Sequence, residues 1–154
     1  MQNKKVTSNI EDYLKTIYRI ELERGVVRVK EISVAMNVTY PSTSGILKKI
    51  EAMGLVEHER YGYVRLSAAG REIASKILDR ETKIALFLHN VLQLDEGDAT
   101  VEACKMEHAM TDETALKLLN FIDYINTPSE VRDRFLNAFH KKTEQEVEVE
   151  ALPH

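Results

Sequence analysis

Cys104, Glu107 and His108 share one short stretch, Glu102-Ala103-Cys104-Lys105-Met106-Glu107-His108. At 100° per residue, a helix gathers the three within about a 100° sector. A thiolate, a carboxylate and an imidazole facing the same way can each give a lone pair to one ion, and one turn of helix spaces them about 5–6 Å apart. That is half of a transition-metal site. The same spacing also suits a plain packing helix with a buried cysteine, a surface glutamate and a hydrogen-bonded histidine, so the remaining ligands must come from elsewhere in the chain. A thiol enzyme using Cys104 with His108 would need an oxyanion hole and a third group to orient the base, and neither is evident. No enzymatic activity is expected.

A second set of residues could meet an anion rather than a cation. Val29 to Met36 reads as a short helix closed by Asn37, which tolerates a left-handed turn. Pro41 suits the first position of a further helix running to about Met53, with Gly54 as its stop. Short helix, tight turn, second helix is the helix-turn-helix pattern. Thr39, Pro41, Ser42, Thr43, Ser44 and Gly45 crowd the start of the second helix, where free backbone N–H groups and small hydroxyls can meet phosphates and base edges. Lys48 and Lys49 extend the basic surface. Gly45 lies in the helix interior, where glycine costs about 1 kcal/mol relative to alanine, so something other than helix propensity must favour it. Next, Leu55 to Arg60 and Tyr63 to Leu66 read as two strands about a glycine turn at Tyr61-Gly62, which makes a wing carrying Arg60 and Arg65.

The remaining elements must position these two sets. Ser8-Asn9-Ile10-Glu11 has the form of a capping box for a first helix over about 9–24, ended by Gly25. Ile10, Tyr13, Leu14, Ile17 and Tyr18 form its apolar stripe, and Asp12, Lys15 and Arg19 lie opposite, where a solvated face is the plain expectation. Ser67 caps a long helix from Ala68 to about Leu92, Gln93–Asp98 is a loop, and the ligand helix occupies about 99–110. Thr111-Asp112-Glu113 opens another helix, whose apolar face is wide enough to suggest burial against a second copy of the chain. Thr127-Pro128-Ser129-Glu130 caps a last helix to about His140.

The expected architecture is therefore mainly α. An N-terminal winged helix-turn-helix domain (1–72) precedes an all-helical metal-binding and dimerisation domain (73–142) and a flexible tail (143–154). Charge supports this division. The 154 residues carry a net charge of −4, but 1–72 hold 12 Lys/Arg against 9 Asp/Glu and 73–154 hold 9 against 16. A basic first part with an acidic second part fits a nucleic-acid-binding module followed by one that binds cations or itself. No apolar run approaches the length of a membrane span and no signal peptide is visible, so a cytoplasmic protein with no membrane partner is expected. The single cysteine suits a reducing compartment, where a thiol stays available as a ligand.

Three stretches coincide in order and spacing: Glu11-Asp12-Tyr13-Leu14-Lys15-Thr16-Ile17-Tyr18, Pro41 to Val56, and Glu102 to Met110 with Asp112-Glu113. Together they resemble the diphtheria toxin repressor and manganese transport regulator family of metal-dependent winged-helix repressors, over about residues 6–140. The resemblance implies a homodimer that binds palindromic operator DNA when Fe²⁺ or Mn²⁺ is available. It matches Cys104, Glu107 and His108 to the family's ligand helix and Asp12 to a ligand of the first helix. The set is a hybrid, since Asp12 looks like the manganese branch and Cys104 like the iron branch. Fe²⁺ is favoured slightly over Mn²⁺, with Zn²⁺ or Co²⁺ expected to bind in vitro. Lys15 replaces a glutamate of the manganese branch, and Glu81 and Ala85 stand where the iron branch has histidine and glutamate. Glu81 remains a further candidate ligand. A lysine at 15, able to pair with Glu81, would disfavour a second ion, so one principal site is implied. In this reading the metal ties Asp12 to the ligand helix and so fixes the spacing of two recognition helices. The alternative is a winged-helix regulator that responds to a small organic ligand or needs no metal, in which case a chelator would leave operator binding unchanged.

Overall fold

The computed structural model describes residues 6–59 and 62–150. They form two compact units, one ending at Asp79 and the other starting at Arg80. The division falls inside a helix, beyond the 72/73 boundary expected from the sequence.

The first unit opens with α1, Ser8–Arg24. Leu14 and Ile17 on its apolar stripe are fully buried. Thr7, in extended conformation, is the N-cap and makes no side-chain cap hydrogen bond. The capping box expected at Ser8 is therefore absent, because Ser8 is already helical: the Glu11 N–H closes the first turn on the Thr7 carbonyl at 2.9 Å. Gly25 ends the helix at φ 77°, a left-handed position that glycine takes without a Cβ penalty. Val27–Arg28 then forms β1, and α2 follows without a linker at Val29–Ala35, with Arg28 as its N-cap. The Glu31 carboxylate accepts from the Arg28 backbone N–H at 2.9 Å and from the Arg24 guanidinium at 3.0 Å. Asn37 makes the helix-turn-helix turn at φ 52°. Next comes α3, Tyr40–Ala52, with Thr39 as N-cap. Pro41 is thus the second helical residue rather than the first.

The wing comprises β2, Val56–His58, and β3, Tyr63–Leu66. β1 joins it, giving a three-stranded antiparallel sheet in the order β1-β3-β2 with Val27 opposite Val64 and Val56 opposite Leu66. Burying Val27, Ile32, Leu47, Ile50, Val56 and Val64 with Leu14 and Ile17 makes one core of α1, the helix-turn-helix and the sheet. Helix α4, Ala68–Asn90, starts on Ser67, whose hydroxyl accepts from the Gly70 N–H at 3.1 Å and donates to the Gly54 carbonyl at 2.7 Å.

The second unit contains the remainder of α4 and α5, Glu96–Ala109, α6, Asp112–Asn126, and α7, Glu130–Glu150. Helix α5 begins inside the loop expected at Gln93–Asp98, because the Asp95 carboxylate caps it by accepting from the Gly97 N–H at 2.8 Å. Thr111 and Ser129 cap α6 and α7 as the sequence suggests, accepting from the N–H groups of Thr114 and Arg132. Helix α7 continues past His140, so 143–150, expected to be a flexible tail, are helical; 151–154 lie outside the described residues. Ile84, Leu88, Ala99, Ala103 and Ile122 make this unit's core. Leu116, Phe121 and Tyr124 on α6 and Val131 and Phe135 on α7 remain exposed.

Candidate DNA-binding surface and metal centre

On the first unit, the start of α3 is an exposed polar ledge. Thr39 Oγ1 accepts from the Ser42 N–H at 3.4 Å and shares a hydrogen bond with the Ser42 hydroxyl at 2.9 Å, which pins both hydroxyls at the helix N-terminus. Thr39, Pro41, Ser42, Gly45, Lys48 and Lys49 are exposed and Ser44 is half-buried. Thr43 is a correction. It lies four residues before Leu47 and seven before Ile50, on the core face, and is fully buried with its hydroxyl donating to the Thr39 carbonyl at 3.2 Å. Its role is packing, not contact with a base. A Cβ on Gly45 would meet nothing within 4 Å, so neither crowding nor backbone conformation accounts for glycine there.

On the wing, Arg65 is exposed and its Nε donates to the Glu59 carboxylate at 3.1 Å; Arg60 lies outside the described residues. The backbone N–H of His58 donates to Glu51 at 3.1 Å and its ring lies 3.0 Å from the other oxygen. That backbone donor, with the ring, holds the Glu51 carboxyl below the usual glutamate range and ties the last turn of α3 to β2. Sequence reading missed Arg28. Its guanidinium donates to the Tyr63 hydroxyl at 2.8 Å and lies 5.1 Å above that ring, fastening the start of β3 to the entry of α2. A two-residue strand leaves no alternation to detect.

On the second unit, Ala99 and Ala103 face the core, and the donor residues lie on the adjoining flank of α5, Glu107 nearest the core side. Cys104 is a half-buried thiol in no disulfide. Its Sγ and a ring nitrogen of His108 lie within 4.8 Å, as do a Glu107 carboxylate oxygen and a His108 ring nitrogen. Glu107 Oε2 stands 3.4 Å from His108 Nδ1. Atoms that bind one ion at about 2.0–2.3 Å stand roughly 3–4.5 Å apart, so the sulfur–nitrogen pair and the oxygen–nitrogen pair are each near the separation that a shared cation demands, with His108 common to both. The donor set fits a borderline transition-metal ion. Glu107 is nearly enclosed, its side chain 8% exposed, and Arg80 Nη1 lies 3.8 Å from its Oε1. Glu81, on α4, is buried.

On α1 of the first unit, Asp12 is half-buried and 3.2 Å from the Lys15 ammonium. Lys15 is buried as well. The solvated face expected for Asp12, Lys15 and Arg19 thus holds only for Arg19. The sequence pattern reads Lys15 as surface because burial of a lysine beside a carboxylate leaves no mark in hydrophobic periodicity.

A winged helix-turn-helix unit followed by a helical unit bearing candidate cation ligands is the arrangement of a DNA-binding regulator with an effector-binding domain. Comparison with known proteins makes this specific. Residues 5–64 match the family model described as the iron dependent repressor N-terminal DNA binding domain, and 67–136 match the iron dependent repressor metal binding and dimerisation domain. An uncharacterised HTH-type transcriptional regulator of Methanocaldococcus jannaschii is 36% identical over 119 residues, 77% of this chain and 95% of the relative. The diphtheria toxin repressor of Corynebacterium glutamicum is 27% identical over 80% of this chain and 54% of its own length. The structure of the manganese regulator SloR superposes with a TM-score of 0.63 at 28% identity, over 78% of this chain and 55% of that one. The chain thus spans nearly all of the first relative and about half of the other two. It belongs to the iron-dependent repressor family, whose members are metal-dependent transcriptional regulators and not enzymes. No helix among the described residues is long and apolar enough to cross a membrane.

Proposed function

We propose that this chain is a metal-activated repressor of iron or manganese homeostasis genes, acting in the cytoplasm as a homodimer on palindromic operators. The observation that carries the proposal is the sulfur, nitrogen and oxygen donor set on one flank of α5. Cys104, Glu107 and His108 are proposed as ligands, with Asp12 completing the set and Glu81 as a further candidate. When bound, the ion supplies a cross-link between its ligands. Two recognition helices enter successive major grooves only at a matching spacing, so restraining that spacing raises the fraction of dimers competent to bind. By linkage, metal affinity and DNA affinity then rise together. Fe²⁺ is the preferred activator, because thiolate is a softer donor than the carboxylates of an all-oxygen and nitrogen site.

The test is operator binding by mobility shift under anaerobic conditions, titrated with Fe²⁺ and with Mn²⁺, with and without chelator. Binding is expected only with metal, at one tightly bound ion per protomer, and with an Fe²⁺ midpoint below that of Mn²⁺. If each winged unit neutralises about three or four phosphates, the dimer should give a log–log salt slope of roughly −5 to −7. Equal binding with chelator would favour the organic-ligand or metal-free alternative.

The proposed reading surface is Thr39, Pro41, Ser42, Ser44, Gly45, Lys48, Lys49 and the wing arginines Arg60 and Arg65. Its side chains at the start of α3 are short, so specificity should rest on hydroxyls, methyl contacts and DNA shape rather than long bidentate side chains. Gly45 keeps a gap that DNA would fill. Gly45→Gln is expected to change the operator selected from random duplexes while leaving the fold intact, and an unchanged selection would remove Gly45 from the surface.

A further inference from the structure

Arg80 contacts two carboxylates of very different exposure. Its Nη1 lies 3.2 Å from Asp112 Oδ1, whose side chain is 94% exposed, and 3.8 Å from Glu107 Oε1, whose side chain is 8% exposed. An enclosed carboxylate keeps its charge only beside cations or hydrogen-bond donors. Glu107 has His108 at 3.4 Å from one oxygen and Arg80 beside the other. Asp112, out in solvent at the start of α6, holds the same guanidinium nitrogen at little desolvation cost.

From this geometry we infer that Arg80 is a place-holding cation. It compensates and positions Glu107 while no metal is bound, and its fixed charge opposes a divalent ion arriving at the same carboxylate. This inference rests on Glu107 being a metal ligand, as proposed above. Arg80 is then a positioning residue that sets the metal concentration at which the protein responds, not a ligand itself. Guanidinium stays charged at every physiological pH, so the opposition is constant and cannot be titrated away.

Removing the charge has two effects of opposite sign. Arg80→Gln should lower the unfolding temperature of the metal-free protein, because Glu107 loses its compensation, and should tighten Mn²⁺ binding on the order of tenfold, because like-charge repulsion is gone. Arg80→Lys keeps the charge and should bind Mn²⁺ within about twofold of the unaltered protein. A merely structural arginine would lower stability and metal affinity together. The experiment is thermal unfolding of the full chain in chelator, with Mn²⁺ calorimetry on the unaltered protein, Arg80→Gln, Arg80→Lys and Glu107→Gln. Unchanged Mn²⁺ affinity in Glu107→Gln would remove Glu107 from the ligand set. Weakened binding in Glu107→Gln with no tightening in Arg80→Gln, or a lysine variant that behaves like the glutamine one, would overturn the place-holder role while leaving the ligand assignment in place.

Discussion

His108→Ala should leave the fold intact and abolish metal-dependent operator binding. His108 is partly exposed at the last turn of α5, its side chain 21% accessible, so truncation opens no core cavity, and alanine is the better helix former. The imidazole is the donor that lies within ligand range of both Cys104 and Glu107, so its loss divides the set. Changing a residue that merely supports a metal ligand typically costs 10–100-fold in affinity. Loss of a ligand itself is expected to cost at least about a hundredfold on that scale. Mn²⁺ calorimetry gives the affinity and circular dichroism the fold. Chelator-sensitive operator binding at ordinary metal concentrations in this variant would place the activating ion elsewhere.

Gly70→Ala is expected to destabilise the first unit by about 3 kcal/mol, at the upper end of the usual cost of overpacking. Helix propensity alone gives the opposite sign, a gain below the about 1 kcal/mol of a helix interior because Gly70 stands in the first turn of α4. Packing decides, because a Cβ at Gly70 would stand 2.0 Å from the Leu55 carbonyl oxygen and 2.9 Å from its carbon. That backbone cannot easily retreat: the Leu55 N–H is bonded to the Ile50 carbonyl at 3.2 Å, and its carbonyl accepts from the Ser67 N–H at 3.0 Å. Gly45→Ala is the control, exposed and with nothing within 4 Å, and should gain about 1 kcal/mol. Urea unfolding should show a lower midpoint at an unchanged slope for Gly70→Ala. A raised midpoint would mean that the close approach of α4 to Leu55 yields readily.

These two glycines show what was legible in the sequence and what was not. Both sit inside helical patterns, and nothing local separates the one that crowds a neighbouring backbone from the one that faces open space. Elements announced by periodicity and stop residues were legible: α1 to Gly25, the helix-turn-helix about Asn37, α3 to Gly54, the wing strands, and a helix carrying Cys104, Glu107 and His108 on one flank. Features that depend on distant parts of the chain were not. The burial of Lys15 and Thr43 comes from packing, and β1 exists only because Val64 is there to pair with it. Thr7 displaced Ser8 as N-cap because two adjacent hydroxyl residues are equally good caps by composition. The last turns of α7 were hidden by Glu-Val-Glu-Val-Glu, whose period of two lacks the stripe of a helix.

The junction of β1 with α2 leaves no slack in the chain, since Arg28 is both the last residue of the strand and the N-cap of the helix. One residue inserted there would move Val27 to the opposite face of the sheet or turn α2 by about 100°. The wing ladder, by contrast, is closed before the tip by the 2.9 Å bond from the Glu59 N–H to the Tyr63 carbonyl. A change of length beyond that bond would leave the strand register as it is. A tip of altered length would change how far the wing could reach along a phosphate backbone without moving α3, the helix proposed to read the bases.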